Sequence, residues 1–156
     1  MTYFRILAGV FAGFLWLSSP QAMALEPPKI EPLTLVSDTT TVMFQAQIAD
    51  TPELRERGLM FRQVMPADSA MLFDFVEPRP VAMWMKNTLV SLDMVFVRED
   101  GTIAALALNT VPQSLDTISV QEPVRGVIEL AAGTVKKLGL KKNDKVFQRI
   151  FKTQDQ

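Results

Sequence analysis

The sequence predicts a small, mainly β domain (a β-rich α+β fold) that forms a barrel or a sandwich and carries two short helices. About seven short runs rich in β-branched and other apolar residues are bounded by glycine, proline and acidic turn residues. Only residues 51–58 and 133–139 have helix signals, and the sequence has no strand-helix alternation long enough for a parallel α/β sheet. The chain has 156 residues, which is the length of one domain.

The first 24 residues have the organisation of a secretory signal peptide. Arg5 supplies a positive charge, residues 6–17 are apolar, and Ala22 and Ala24 form a small-x-small cleavage site. The apolar run is about a dozen residues long, whereas a membrane-spanning helix needs about 20. We therefore expect cleavage after Ala24 and a periplasmic or secreted protein that meets the membrane only during export. An uncleaved anchor is the alternative.

The remaining chain is predicted to divide into a leader, one domain and a tail. Residues 25–32 contain three prolines and are expected to form an extended leader outside the packed elements. The domain covers residues 33–152, and residues 153–156 form the tail. In the domain, Thr51 is the expected N-cap of the first helix. The predicted strands lie at residues 33–36, 40–49, 70–75, 92–97, 102–108, 124–130 and 146–151.

The composition excludes several classes of chemistry. The chain has no Cys and no His, so it has no disulfide, no Cys or His zinc site and no Ser-His or Cys-His nucleophile pair. We expect no metal and no cofactor. The net charge is −1, which gives no bulk attraction to nucleic acid. Catalysis would have to come from carboxylates, lysine, arginine or hydroxyl groups.

Charge is distributed unevenly along the sequence. Residues 133–156 hold seven cations and two anions, a net charge of +5, whereas residues 25–132 hold eight cations and fifteen anions, a net charge of −7. One interpretation is an anionic partner in the cell envelope. The other, which we favour, is a solvated basic face that complements the acidic remainder of the same molecule.

The densest group of reactive side chains lies at residues 83–94. Trp84 and Lys86 alternate with Met83, Met85 and Asn87, so a strand here would place the two sets on opposite faces. Trp84 offers a ring face for stacking, and Lys86 offers a charge for an anion. The alternative is an apolar strand in which a Lys86–Asp93 pair fixes a tight loop.

Four short motifs stand out in the sequence: RGLM at 57–60, WMKNT at 84–88, LDM at 92–94 and ELAAG at 129–133. They resemble the signature of the DUF192 family, a prokaryotic family of conserved proteins without an established activity. The resemblance covers about residues 40–151 and implies a compact, mostly β single domain, often behind a secretion signal. The sequence departs from the usual family pattern at Met83, where the family has Phe, and at Ser91, where it has Pro.

The resemblance singles out a set of polar residues with two competing explanations. They form a ligand or catalytic cleft, or they form a buried hydrogen-bond network that stabilises a small barrel. The set is Arg57, Lys86, Asn87, Asp93, Asn109 and Glu129.

Three functions compete, and the first is favoured. It is a monomeric binding or accessory module for a polar or anionic envelope ligand, with ligand candidates Arg57, Trp84, Lys86, Asn87, Asp93 and Asn109. The second is a hydrolase in which Asp93 and Glu129 act as acid and base, with Lys86 as a further catalytic candidate. That chemistry needs two carboxyl groups about 5–9 Å apart. The third is a Cu(I) site around Met83, because thioethers select Cu(I).

Overall fold

The structure is a computed structural model, and it describes residues 26–153. The predicted signal peptide (residues 1–24) and most of the predicted tail (residues 154–156) lie outside the described residues. The chain forms seven strands and two short helices, which confirms the mainly β prediction. The elements are β1 (Lys29–Val36), β2 (Thr41–Ala49), α1 (Pro52–Arg57), β3 (Ser69–Met83), β4 (Leu92–Val97), β5 (Ile103–Ala107), β6 (Ile118–Ala131), α2 (Thr134–Leu138) and β7 (Lys145–Phe147).

All seven strands belong to one sheet in the order β5-β4-β6-β3-β2-β1-β7. A single antiparallel bridge between Thr102 and Lys145 joins the two ends, so the sheet is a nearly closed barrel. Every strand pair is antiparallel except β2 with β3, which are parallel over residues 45–49 and 69–73. This one parallel pair does not make a parallel α/β sheet, and the connection between β2 and β3 is long enough for the crossover even though α1 has six residues.

Several strand boundaries differ from the predicted ones, and β3 and β6 extend well beyond the predicted ranges 70–75 and 124–130. Strand β1 begins at Lys29, so residues 29–32 of the expected leader pair with β2, and Pro32 lies opposite Gln45. The final strand is shorter than expected, because β7 ends at Phe147. The domain therefore starts inside the proline-rich segment.

The sheet buries side chains on both faces, and each face has its own core. The inner core fills the barrel, and the outer core covers the other face of β3, β4 and β6 beneath α1 and residues 59–90. The inner core includes Leu33, Leu35, Ile48, Leu72, Val95, Ile103, Ile128 and Leu130. The outer core includes Leu59, Met71, Phe73, Met85, Leu92, Met94, Phe96 and Val127. This second layer positions the candidate site.

The basic C-terminal segment pairs with acidic residues from the rest of the chain. Four of its cations form ion pairs, which favours the interpretation of a self-complementing surface. The pairs are Lys141 with Asp38, Lys142 with Glu122, Arg149 with Glu31 and Lys152 with Glu99. Separately, no helix within residues 26–153 has the length and apolar character needed to cross a bilayer.

Candidate functional site

Helix α1 places Arg57 at the edge of a cleft, and local sequence fixes both ends of the helix. The Thr51 hydroxyl accepts a hydrogen bond from the Leu54 N–H at 3.2 Å, as expected of an N-cap. Gly58 ends the helix at φ +46° and ψ −135°, where a side chain would be strained. A Cβ on Gly58 would also lie 3.1 Å from the Phe73 ring. Glycine therefore lets α1 pack closely against β3.

An irregularity in β3 directs two side chains into the same cleft. The pairing of β3 with β6 shifts register between Asp74 and Arg79, and Val76 has a positive φ of 67°. The Asp74 carboxylate accepts a hydrogen bond from the Val76 N–H at 2.7 Å, and Arg55 donates to the Asp74 carbonyl at 2.8 Å. Held in this way, the bulge brings Phe75 and Arg79 to the cleft wall.

Residues 84–88 form the facing wall. Strand β3 ends just before this segment, and Asn87 adopts a left-handed φ of 56°. The Phe61 N–H donates to the Asn87 carbonyl at 2.8 Å, which ties the loop after α1 to this wall. Met85 is 1% exposed, whereas Trp84 is 49% exposed. The predicted alternation does not extend along the whole segment, because the strand ends at Met83 and Met83 lines the same cleft as Trp84. The Lys86 ammonium lies 4.9 Å from the centre of the Trp84 ring.

These three elements enclose a cleft of about 230 Å³. It combines cationic, aromatic and thioether side chains around a buried carboxyl group. A neighbouring depression shares Arg57, Trp84 and Lys86 and adds Asn87. The cleft is lined by Arg55, Glu56, Arg57, Gly58, Leu59, Met60, Phe73, Phe75, Arg79, Ala82, Met83, Trp84, Lys86, Thr88 and Glu129.

Glu129 lies at the buried end of the cleft. On β6 it is directly opposite Met71 of β3 and Met94 of β4, so all three side chains face the outer core. Glu129 is 4% exposed, and its Oε2 is the one buried side-chain oxygen or nitrogen in residues 26–153 without a hydrogen-bond partner. Burial raises the pKa of Glu129 from 4.5 to about 8, because water no longer stabilises its charge. The group is therefore neutral at pH 7.

Asp93 is also buried, but it lies on the opposite face of the sheet. It pairs with Leu130, and both point to the inner core. The two Asp93 oxygens accept hydrogen bonds from the Asn109 and Val135 N–H groups, each at 2.9 Å. Asp93 thus anchors the start of α2 and the loop after β5.

This geometry disfavours two alternatives that the sequence left open. Asp93 and Glu129 point away from each other through the sheet, so they cannot flank one bond as an acid and base pair. Lys86 is exposed above Trp84, and both Asp93 oxygens are used by backbone groups, so the predicted Lys86–Asp93 pair is not formed.

The remaining candidates are divided between the cleft and the scaffold. Asn109 lies outside the cleft, at a left-handed φ of 50°, beside a separate depression formed with residues 107–118. Met83 lines the cleft, while Met85 packs in the outer core. Five methionines pack in or against the outer core, where methionine commonly fills gaps: Met65, Met71, Met83, Met85 and Met94. The copper hypothesis stays a prediction.

Sequence reasoning missed Phe73, Phe75 and Arg79. Pro78 and Pro80 flank Arg79 and favoured a loop, whereas the segment continues β3 along β6 as an irregular ribbon. The Arg79 guanidinium carbon lies 5.0 Å from the centre of the Phe75 ring. The available signal was Arg79 itself, a basic residue between two prolines and close to an aromatic run. This pattern does not show which group the arginine contacts.

Comparisons with known proteins agree with this fold. The DUF192 family model, described as an uncharacterized ACR, matches residues 34–148. A crystal structure from Sinorhizobium meliloti 1021 is 43% identical, with a TM-score of 0.79, and the match covers 82% of this chain and all of that chain. Its description suggests a transcription regulator. A protein of unknown function from Novosphingobium aromaticivorans DSM 12444 is 30% identical, with a TM-score of 0.75, over 80% of this chain and 94% of that chain. No curated protein matches the chain.

Proposed function

The chain belongs to the DUF192 family, and from that premise we propose that it is an exported binding protein whose cleft takes a small polar or anionic ligand of the cell envelope. The observation that carries the proposal is the Glu129 Oε2 atom, which is buried at the cleft and has no partner. Folded proteins rarely leave such atoms unsatisfied, because the lost hydration costs about 1–3 kcal/mol. A ligand group that fills the cleft would supply the missing hydrogen bond.

The charge of the cleft favours an anion. Four cations line it against two carboxyl groups, and Glu129 carries no charge at pH 7 because burial raises its pKa to about 8. Arg55 is already bonded to the backbone carbonyls of Asp50 and Asp74. Arg57 and Lys86 are exposed and carry positive charges.

A regulator that binds DNA is not favoured by this charge distribution. The description of the Sinorhizobium relative suggests a transcription regulator. In this chain the net charge is −1, and four cations of the basic C-terminal segment pair with the chain's own carboxylates. DNA affinity depends on free Lys and Arg groups that replace counterions on phosphates.

Ligand binding is tested by calorimetry with a panel of carboxylates, phosphate esters, sulfate and neutral sugars. We expect at least one anion to bind with one-to-one stoichiometry, and Lys86→Ala to weaken it about tenfold. Lys136→Ala is the matched control, because Lys136 is an exposed lysine on α2 that does not line the cleft. The absence of saturable binding across the panel, or equal losses in both variants, contradicts the proposal.

Export is tested separately by expressing the full chain in a bacterial host and fractionating the cells. We expect the protein in the periplasm or medium, with Leu25 as its first residue. A cytoplasmic protein that keeps its original N-terminus contradicts export and leaves the ligand question to the calorimetry.

A further inference from the structure

The cleft is polarised between a charged mouth and a neutral floor. Arg57, Arg79 and Lys86 are exposed at the mouth. Glu129 and Phe73 are buried at the floor, where a charge would be expensive to desolvate. A ligand that matches this arrangement has its charge at one end and uncharged polar groups at the other.

Two of the mouth cations are held in place by aromatic rings. Lys86 lies over Trp84 at 4.9 Å, and Arg79 lies over Phe75 at 5.0 Å. Contacts of this kind limit the motion of long side chains, so less conformational entropy is lost when an anion binds. The rings themselves line the cleft and offer apolar faces to the ligand body.

The backbone at the cleft disfavours a doubly charged phosphate. Helix α1 contributes its C-terminal end, Arg57 and Gly58, where the unpaired groups are carbonyl oxygens. Phosphate sites usually use backbone N–H groups at a helix N-terminus instead. The volume of about 230 Å³ lies below the range that is usual for drug-sized ligands, which begins near 300 Å³.

From these features we infer that the cleft takes a hydroxylated monocarboxylate about the size of one sugar ring. Its carboxylate lies among Arg57, Arg79 and Lys86, and one of its hydroxyl groups or a ring oxygen contacts the Glu129 carboxyl group. This inference rests on the proposed function and narrows the ligand class of the same site.

Binding should depend on the protonation of Glu129. A neutral carboxyl group both donates and accepts a hydrogen bond, whereas an ionised one only accepts and repels the bound anion. Its strand neighbours Met71 and Met94 are uncharged. Because the pKa of Glu129 is raised to about 8, affinity should fall as the pH rises through that value. The charged groups that face it across the cleft are Arg55, Glu56 and Arg57 from α1, Arg79 from β3 and Lys86 from residues 84–88.

The test uses sugars of one size and different charge. Glucuronate and galacturonate carry one carboxylate, glucose is neutral, and glucose 6-phosphate carries a phosphate. Affinities are measured by calorimetry at about pH 6 and about pH 9, on either side of the Glu129 transition. The wild-type chain is compared with Glu129→Gln, with Lys86→Ala and with the control Lys136→Ala.

We expect a uronate to bind wild type at least about tenfold more tightly than glucose or glucose 6-phosphate at the lower pH. Its affinity should fall about fivefold or more at the higher pH in wild type, and stay constant in Glu129→Gln because glutamine does not titrate. Lys86→Ala should weaken binding at both pH values, and Lys136→Ala at neither.

The outcomes separate the inference from the proposed function. Tighter binding of glucose or glucose 6-phosphate than of either uronate overturns the monocarboxylate inference and leaves a ligand site in the cleft. If uronate binding has the same pH dependence in wild type and in Glu129→Gln, protonation of Glu129 does not control the affinity. If neither uronate binds, the inference is wrong, and the broader ligand panel alone decides the proposed function.

Discussion

Asp93 on β4 and Glu129 on β6 are both buried, they lie on neighbouring strands, and they face opposite sides of the sheet. Asp93 faces the inner core and accepts two backbone hydrogen bonds. Glu129 faces the outer core with one oxygen unpaired, beside an open cleft. Burial alone therefore does not identify a functional carboxylate. The hydrogen-bond partners of its oxygens distinguish a structural anchor from a group that is available for binding.

The two faces of the sheet also differ in what their cores do. The inner core alone closes a barrel, and Asp93 serves that barrel by fixing α2. The second layer, with α1 and residues 59–90, covers one face of the sheet incompletely and leaves the cleft.

Removal of the anchor should have the largest effect. Asp93→Ala leaves the Asn109 and Val135 N–H groups without acceptors, and we expect unfolding free energy to fall by about 3 kcal/mol. Urea denaturation measures the loss. Asp38→Ala is the control, because Asp38 is exposed and solvent screens its pair with Lys141, so little loss of stability is expected. Similar losses in the two variants would show that Asp93 is not an anchor.

Glu129→Gln should instead stabilise the fold as the pH rises. The folded pKa of Glu129 is about 8 and the ordinary value is 4.5, so the unfolded chain ionises first. The contribution of Glu129 to the free energy of unfolding of wild type therefore falls between those two pH values and is constant above them. Glutamine does not titrate, so the variant shows no such change. The variant should become progressively more stable than wild type across this window in urea denaturation. Parallel stability curves would contradict a buried, neutral Glu129.

Gly58 tests the packing that shapes the cleft. Gly58→Ala should cost about 2 kcal/mol, because its φ of +46° suits only glycine and the new methyl group would meet the Phe73 ring. Gly133→Ala is a matched control, since φ is +84° there but no atom lies within 4 Å, and about 1 kcal/mol is expected from strain alone. Thermal unfolding that gives equal losses would mean that contact with Phe73 does not matter.

The smallest stability effect is expected at the mouth of the cleft. Lys86→Ala removes an exposed cation that only contacts Trp84, so the free energy of unfolding should change by less than about 0.5 kcal/mol. A larger loss in urea denaturation would assign Lys86 to the scaffold. If the free energy of unfolding stays constant while ligand affinity falls, Lys86 contributes to ligand binding and not to the stability of the fold.

Local patterns predicted much of the fold. Alternation along residues 40–49 and the Thr51 to Gly58 helix signals correspond to β2 and α1. The parallel pairing of β2 with β3 depends on contacts distant in sequence, which no local pattern encodes. The same holds for the closing bridge between Thr102 and Lys145.

The sequence predicted only part of the candidate site. Arg57, Trp84, Lys86 and Glu129 were identified by residue type and motif, and they do meet at one cleft. The separation of Glu129 from Asp93 follows from the register between β4 and β6, where a shift of one residue would reverse both faces. Register is set by the folded sheet, so the sequence could not assign the two carboxylates different roles.

The most direct test is a carbon-13 NMR titration of the Glu129 side-chain carboxyl, assigned by comparison with Glu129→Gln. We expect this carboxyl to stay protonated through pH 7 and to titrate with a pKa of about 8. A midpoint near the ordinary value of 4.5 would contradict it, because the oxygen would then be solvated or paired rather than kept free for a ligand.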